Sequence, residues 1–154
     1  MSGVIIRTAT RQDIEAMTSL LQTLFSIEKD FSPDPARQAR GLSLLLDDPC
    51  QNHVLVAEDA GQDNGQILGM CVGQLVVSTA QGSASVLVED VVVHESARGR
   101  GIGRLLITAL AAWAEKCGAT RMQLLADRTN EAALDFYQRL GWTRTNLVCL
   151  RHLL

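Results

Sequence analysis

The stretch Val86-Leu-Val-Glu-Asp-Val-Val-Val93, followed by His94-Glu-Ser-Ala97 and then Arg98-Gly-Arg-Gly-Ile-Gly-Arg104, decides how this chain is read. Its first part is a run rich in β-branched residues, interrupted only by Glu89 and Asp90, and predicts a central strand. Past the polar turn, Ile102, Leu105, Leu106, Ala109 and Trp113 recur at the spacing of one helical face. Strand, glycine-rich turn and helix therefore follow in order. The first N–H groups of such a helix lack intrahelical partners, and the helix dipole adds positive charge behind them. Anions bind there, phosphates above all. Gly99, Gly101 and Gly103 carry no Cβ to keep the main chain from a bulky anion, and Arg98, Arg100 and Arg104 add attraction. Any one of these arginines alone would read as a solvated surface charge; their grouping with three glycines argues for a ligand.

Two phosphate motifs are excluded or weakened by spacing. No Lys-Ser or Lys-Thr pair follows a glycine as a P-loop requires, and the glycines are neither spaced nor placed as in a dinucleotide fingerprint. The stretch instead resembles the acyl-CoA-binding core of the GNAT superfamily of N-acetyltransferases, Arg/Gln-x-x-Gly-x-Gly/Ala, here Arg98-x-x-Gly101-x-Gly103. A second block, Asn130-Glu-Ala-Ala-Leu-Asp-Phe-Tyr137-Gln-Arg-Leu-Gly-Trp142, is similar to that family's Asn-x-x-Ala-x-x-Phe-Tyr pattern. The resemblance implies acetyl-CoA as co-substrate, its pyrophosphate held by main chain and side chains from Arg98 through Gly99, Arg100, Gly101, Ile102 and Gly103 to Arg104. It also implies that Val91, Val92 and Val93 pair with the pantetheine arm like an added strand, and that Asn130 meets the same arm.

At 154 residues the chain has the length of one domain, and a single N-acetyltransferase domain over 1–154 is expected. A hydrophobic share of 47% against 20% charged residues is that of a folded globular protein. A net charge of -3 argues against general nucleic-acid binding and favours small or cationic partners. Without an apolar run long enough for a bilayer or a signal-peptide pattern, a cytoplasmic protein with no membrane partner is expected. Cys50, Cys71, Cys117 and Cys149 are far apart, as are His53, His94 and His152, so no metal site is expected. A homodimer is an expectation by analogy alone.

In chain order, Val4–Ala9 reads as a strand, and Thr10 with Asp13 as a capping-box start to a helix reaching about Ile27. Pro35 suits the first turn of a second helix ending at Asp47-Asp48-Pro49. Asn52–Glu58 and Ile67–Ser78 read as an antiparallel pair turned by Gly61–Gly65, with its Asn-Gly end. Arg121–Ala126 is a strand after the central helix, Asn130 and Gly141 bracket a last helix, and Trp142–Leu153 reads as a final strand. The fold class is α/β (α+β): a GNAT-like mixed, mostly antiparallel sheet with about four helices on both faces, its central parallel strands splayed around acyl-CoA.

A protonated alkylamine cannot attack a thioester until it loses a proton. Mid-strand Glu89 and Asp90 are the candidates for base, and strand alternation puts them on opposite faces. The resemblance assigns proton removal to Glu89 and proton donation to the departing thiolate to Tyr137. Glu89 paired with a buried donor, Asp90 in a structural role, Tyr137 as a packed aromatic and Asn130 as a helix cap are the plainer alternatives. Glu28 and Asp30, between the first two helices, suit a small cationic amine such as a diamine, polyamine or amino-acid-like molecule, although acids in such a loop also serve simply as solvated charges. The reading is direct acetyl transfer in a ternary complex. An acyl-CoA-binding regulatory module without catalysis and a protein or peptide N-acetyltransferase are the alternatives.

Overall fold

The computed structural model describes residues 3–28, 30, 32–61 and 65–154. Two compact units form, Met1–Gln123 and Leu124–Leu154. The strands are β1 (Val4–Thr8), β2 (Asn52–Asp59), β3 (Gln66–Ser78), β4 (Ser83–Val93) and β5 (Ala119–Leu124), arranged in that order in one mixed sheet. The helices are α1 (Ile14–Ile27), α2 (Pro35–Asp47), α3 (Ile102–Lys116) and α4 (Glu131–Arg139). β1 to β4 pair antiparallel, and the helical crossover β4–α3–β5 supplies the last strand. The predicted turn between β2 and β3 falls partly on 62–64, outside the described residues.

Alternation along β3 assigns its two faces. Val72 packs in a core with Met17, Leu20 and Leu21 of α1 and Leu42 of α2, together with Val54, Val56, Met70 and Val92 of the sheet. On the other face, a Cβ added to Gly73 would meet Leu110 and Trp113 of α3. α1 and α2 therefore cover one face and α3 the other. Met17, Leu42, Met70 and Leu106 are fully buried, each contributing roughly 1.5–3 kcal/mol through area removed from water. Asp13, at the start of α1, accepts from Thr10 N at 2.7 Å and from the two terminal guanidinium nitrogens of Arg7 at 2.8 Å, while Arg7 Nε pairs with Glu58. The guanidinium holds the Asp13 carboxyl below its usual range, and this network ties α1 to β1 and β2.

Three expectations are corrected. Leu105 is 44% exposed, whereas Ile107 and Leu110 are buried, so the α3 stripe is rotated from the one read off spacing. The β5 strand lies two residues earlier than expected. No strand forms across Trp142–Leu153. Leu147, Val148, Leu150 and Leu153 are all exposed: apolar residues of both parities leave no polar face to turn outward, and no neighbouring strand takes up either face.

Gly69 and Gly73 let the backbone of β3 approach its neighbours. A methyl at Gly73 would sit 2.7 Å from Leu110 Cδ1 and 3.1 Å from Val86 Cγ1. Gly73→Ala is expected to lose about 1–3 kcal/mol by overpacking. Urea denaturation with an unchanged m-value and a lower midpoint is the check; an unaltered midpoint would show that α3 yields freely.

Candidate active site

The pairing of β4 with β3 contains an irregularity. Met70 faces Val92 and Val72 faces Glu89, so two steps on β3 span three on β4. The extra residue is a β-bulge. Asp90 sits in it with φ 53°, the left-handed region, which Asp tolerates better than most side chains. Among the described residues it is the one non-glycine with positive φ.

The bulge overturns the expectation that Glu89 and Asp90 point to opposite faces. Glu89 is opposite Val72 and so lies on the α1/α2 face. Asp90 would have alternated to the α3 face, but instead it lines a cleft of about 780 Å³ beside Leu21 and Phe25 of α1 and Gln38 and Leu42 of α2. Both carboxylates thus sit on the face covered by α1 and α2. Burial raises the Glu89 carboxyl above its ordinary value. Burial, then the charge of Glu89, then that of Glu28, push Asp90 up to about 7. Among the described residues no donor hydrogen-bonds either carboxylate. Glu28, at the end of α1, is thereby close enough to be felt, while Asp30 is exposed on the connection. Sequence reading took Asp90 as structural; its adjacency to Glu89 in mid-strand was the available signal.

Beyond the bulge the strand leads to the glycine turn. Thr120, second in β5, meets Ser83, first in β4, through hydroxyls 2.7 Å apart, so the two strands start level. β5 has 6 residues and β4 has 11, so β4 outruns its neighbour near Glu89 and continues through Val91, Val92 and Val93. Val92 is buried against the α1/α2 core; its main chain, not its side chain, is what a ligand could pair with.

Arg98 Nε donates to Val93 O at 3.3 Å, which folds the turn back against the strand end. Gly99 and Gly101 have φ of 76° and 79°, and a Cβ at either would meet open space. Their role is conformational freedom and an unobstructed approach. Gly101 is the N-cap of α3 and provides no side-chain cap, so the first amides of the helix face outward uncapped. Arg98, Arg100 and Arg104 are exposed around them, whereas Ile102 is 1% exposed and its side chain belongs to the core. Gly103 lies in the first turn of α3. This donor set suits a diphosphate. No group of three or more metal-ligating side chains is found among the described residues. Nor is any helix there long and apolar enough to cross a membrane.

In the second unit, Asn130 Oδ1 accepts from Ala133 N at 3.1 Å and caps α4, as the plainer alternative expects, leaving its NH2 group for another partner. Tyr137 packs edge-on to Phe136, centroids 5.1 Å apart, and tilted to Trp142 at 5.5 Å. Gly141 takes φ 87°, ending the helix as the sequence predicts.

The raised Asp90 carboxyl has a consequence for stability. Between its ordinary value of 3.8 and about 7 the folded protein holds a proton that the unfolded chain releases, so stability falls as pH rises through that window. At about 1.4 kcal/mol per unit, the loss is on the order of 4 kcal/mol. Asp90→Asn, which keeps the backbone tolerance and removes the charge, should melt higher than the parent at pH 8, with the gap closing toward pH 4. Equal melting temperatures at pH 8 would show that the carboxylate is not penalised.

The Acetyltransferase (GNAT) family model matches residues 14–142. The L-ornithine N5-acetyltransferase of Arabidopsis thaliana is 37% identical over 54 residues, which make up 35% of this chain and 24% of that protein. The aligned segments span 24 to 39% of the length of the curated relatives matched. Among solved structures, one described as a transcriptional regulator from Bacillus halodurans C-125 is 30% identical, with a TM-score of 0.82, covering 98% of this chain and 100% of its own. Aminoglycoside N-acetyltransferase AAC(6')-Iy in complex with CoA shares the fold at 20% identity, with a TM-score of 0.83 over 99% and 96% of the two chains. With the bulged strand, the glycine turn and the uncapped helix start already in place, the match over 14–142 decides the matter: this chain belongs to the GNAT family of acetyltransferases.

Proposed function

We propose that this protein transfers the acetyl group of acetyl-CoA to a primary amine, and that the favoured acceptor is a small cationic amine such as a diamine, polyamine or amino-acid-like molecule. The observation that carries the reading is the pairing, across one strand end, of an uncapped arginine-rimmed helix start with Asp90 lining a cleft and Glu89 beside it on the same face of the sheet. Acetyl-CoA supplies an activated thioester. The amides from Gly99 to Arg104 and the three arginines hold its diphosphate, and the main chain of Val91 to Val93 aligns the pantetheine, with the Asn130 amide as a further contact.

Glu89 removes the amine's proton, directly or through water. Its burial brings its basicity closer to neutral pH, where a base is most effective. The N–H at Val91, in the bulge, meets the negative charge that develops on the carbonyl oxygen. Tyr137 returns a proton to the departing sulfur. Glu28 and Asp30 add negative potential at the cleft entrance. The Arabidopsis relative, named for acetylation of ornithine, is a precedent for a cationic amino-acid acceptor.

Thiol release from acetyl-CoA against a panel of amines is the test. Glu89→Gln and Tyr137→Phe should each lower kcat by about 10²–10⁴, with the KM for acetyl-CoA little changed. Wild-type rates in both variants would remove their roles. For the diphosphate cradle, calorimetric titration with CoA should show binding at least tenfold weaker in Gly101→Val, whose β-branched side chain resists the left-handed N-cap. Unchanged affinity would place the diphosphate elsewhere.

A further inference from the structure

The α1/α2 cleft holds a second polar group without a partner. Gln38, on the first turn of α2, is 9% exposed, lines the cleft, and its Oε1 has no hydrogen-bond partner among the described residues. A buried carbonyl left in this way costs roughly 1–3 kcal/mol. Four other polar side chains of the wall are engaged in pairs. Gln74 Nε2 donates to Asn52 Oδ1 at 3.4 Å, and the Arg37 guanidinium is held by Asp34, Nε to Oδ2 3.3 Å, at the exposed rim. Between them the surface is apolar: Leu21 and Phe25 from α1, Leu42 and Leu45 from α2. The cleft therefore offers two groups lacking protein partners, the ionisable Asp90 carboxyl and the neutral Gln38 carbonyl, on walls that favour methylenes.

We infer that Gln38 and Asp90 are specificity residues for an acceptor with two N–H-bearing ends on one aliphatic chain, the cationic end at Asp90 and the second donor at Gln38. The terminal amide torsion of Gln is broad and two-fold, so Oε1 turns toward the cleft without a rotamer penalty. A monoamine satisfies only Asp90. An alcohol of the same length leaves its charge uncompensated. This narrows the acceptor class of the reading above and rests on it for the reaction, but not for the binding.

Two measurements separate the claims. Calorimetry in the presence of CoA, with α,ω-diamines of three to six carbons against the n-alkylamines of equal length, reads recognition without turnover. The best diamine should bind at least tenfold more tightly than its monoamine, and Gln38→Leu should erase that difference while leaving the monoamine within twofold. Asp90→Asn should weaken both at least tenfold. Gln38→Met, unbranched and of similar length, repeats the test should leucine disturb the helix; either variant should melt no lower than the parent, because an unsatisfied buried carbonyl is removed. Diamines that bind no better than monoamines, or a Gln38→Leu effect equal on both series, would overturn the inference. Thiol release then tests the reaction separately: a diamine preference in binding with no acetylation of any amine would sink the proposed function and leave the recognition pair standing.

Discussion

β4 carries one residue more than β3 can pair, and the site is built around that mismatch. Without it Asp90 would alternate to the face under α3. With it, two consecutive carboxylates share the face covered by α1 and α2, and neither Asp90 nor Val91 has a register partner on β3. A non-glycine residue in the left-handed region costs about 1–2 kcal/mol, and burial of an unpaired carboxylate costs more. The core supplies the compensation, since the strand on either side is pinned: Val92 and Met70 lie in the α1/α2 core, and Val86 is fully buried.

The same strand separates opposite charges over a short stretch of chain. Glu89 raises the affinity of Asp90 for its proton, whereas five residues after Val93 the arginines begin, around amides that carry the positive end of α3. A net charge of -3 gives no hint of this segregation. Under the proposed function an anionic ligand and a cationic one meet at this strand end. Direct transfer between two bound molecules asks for that arrangement, and no side chain need carry the acyl group in between.

What could be read in the residues beforehand follows from how local each signal is. α1, α2 and α4 were legible to their ends because caps and stops sit next to the periodic stretch: Thr10 with Asp13, Pro35, Asn130 and Gly141. The glycine turn was legible because its chemistry lies within seven residues. Leu105 was misplaced because the α3 spacing fits two adjacent stripes, and only packing on Gly69 and Gly73 selects between them. The terminal strand failed for a related reason: Val148 and Leu150 have strand propensity, but a strand needs a neighbour, which composition does not supply. Asp90 was misjudged because alternation assumes equal pairing on both strands. Gln38 carried no signal, since whether a side chain finds a partner is a property of its surroundings.

The unsatisfied groups bear on function because of their cost. A domain of this kind has about 5–15 kcal/mol of net stability, and an unpartnered carboxylate together with an unpartnered carbonyl claims a substantial part of it. Asn in place of Asp90 and Leu in place of Gln38 would relieve both with little change of shape. Neither burden helps the fold: the α1/α2 core closes on Leu21 and Leu42 without them, and the bulge accepts Asn as readily as Asp. Groups that cost the free protein this much, and that line one cleft, have their compensation in a bound state, in which donors from outside the chain complete them. On the proposed recognition of the acceptor, the stability lost at Asp90 and Gln38 is binding energy held in reserve for it.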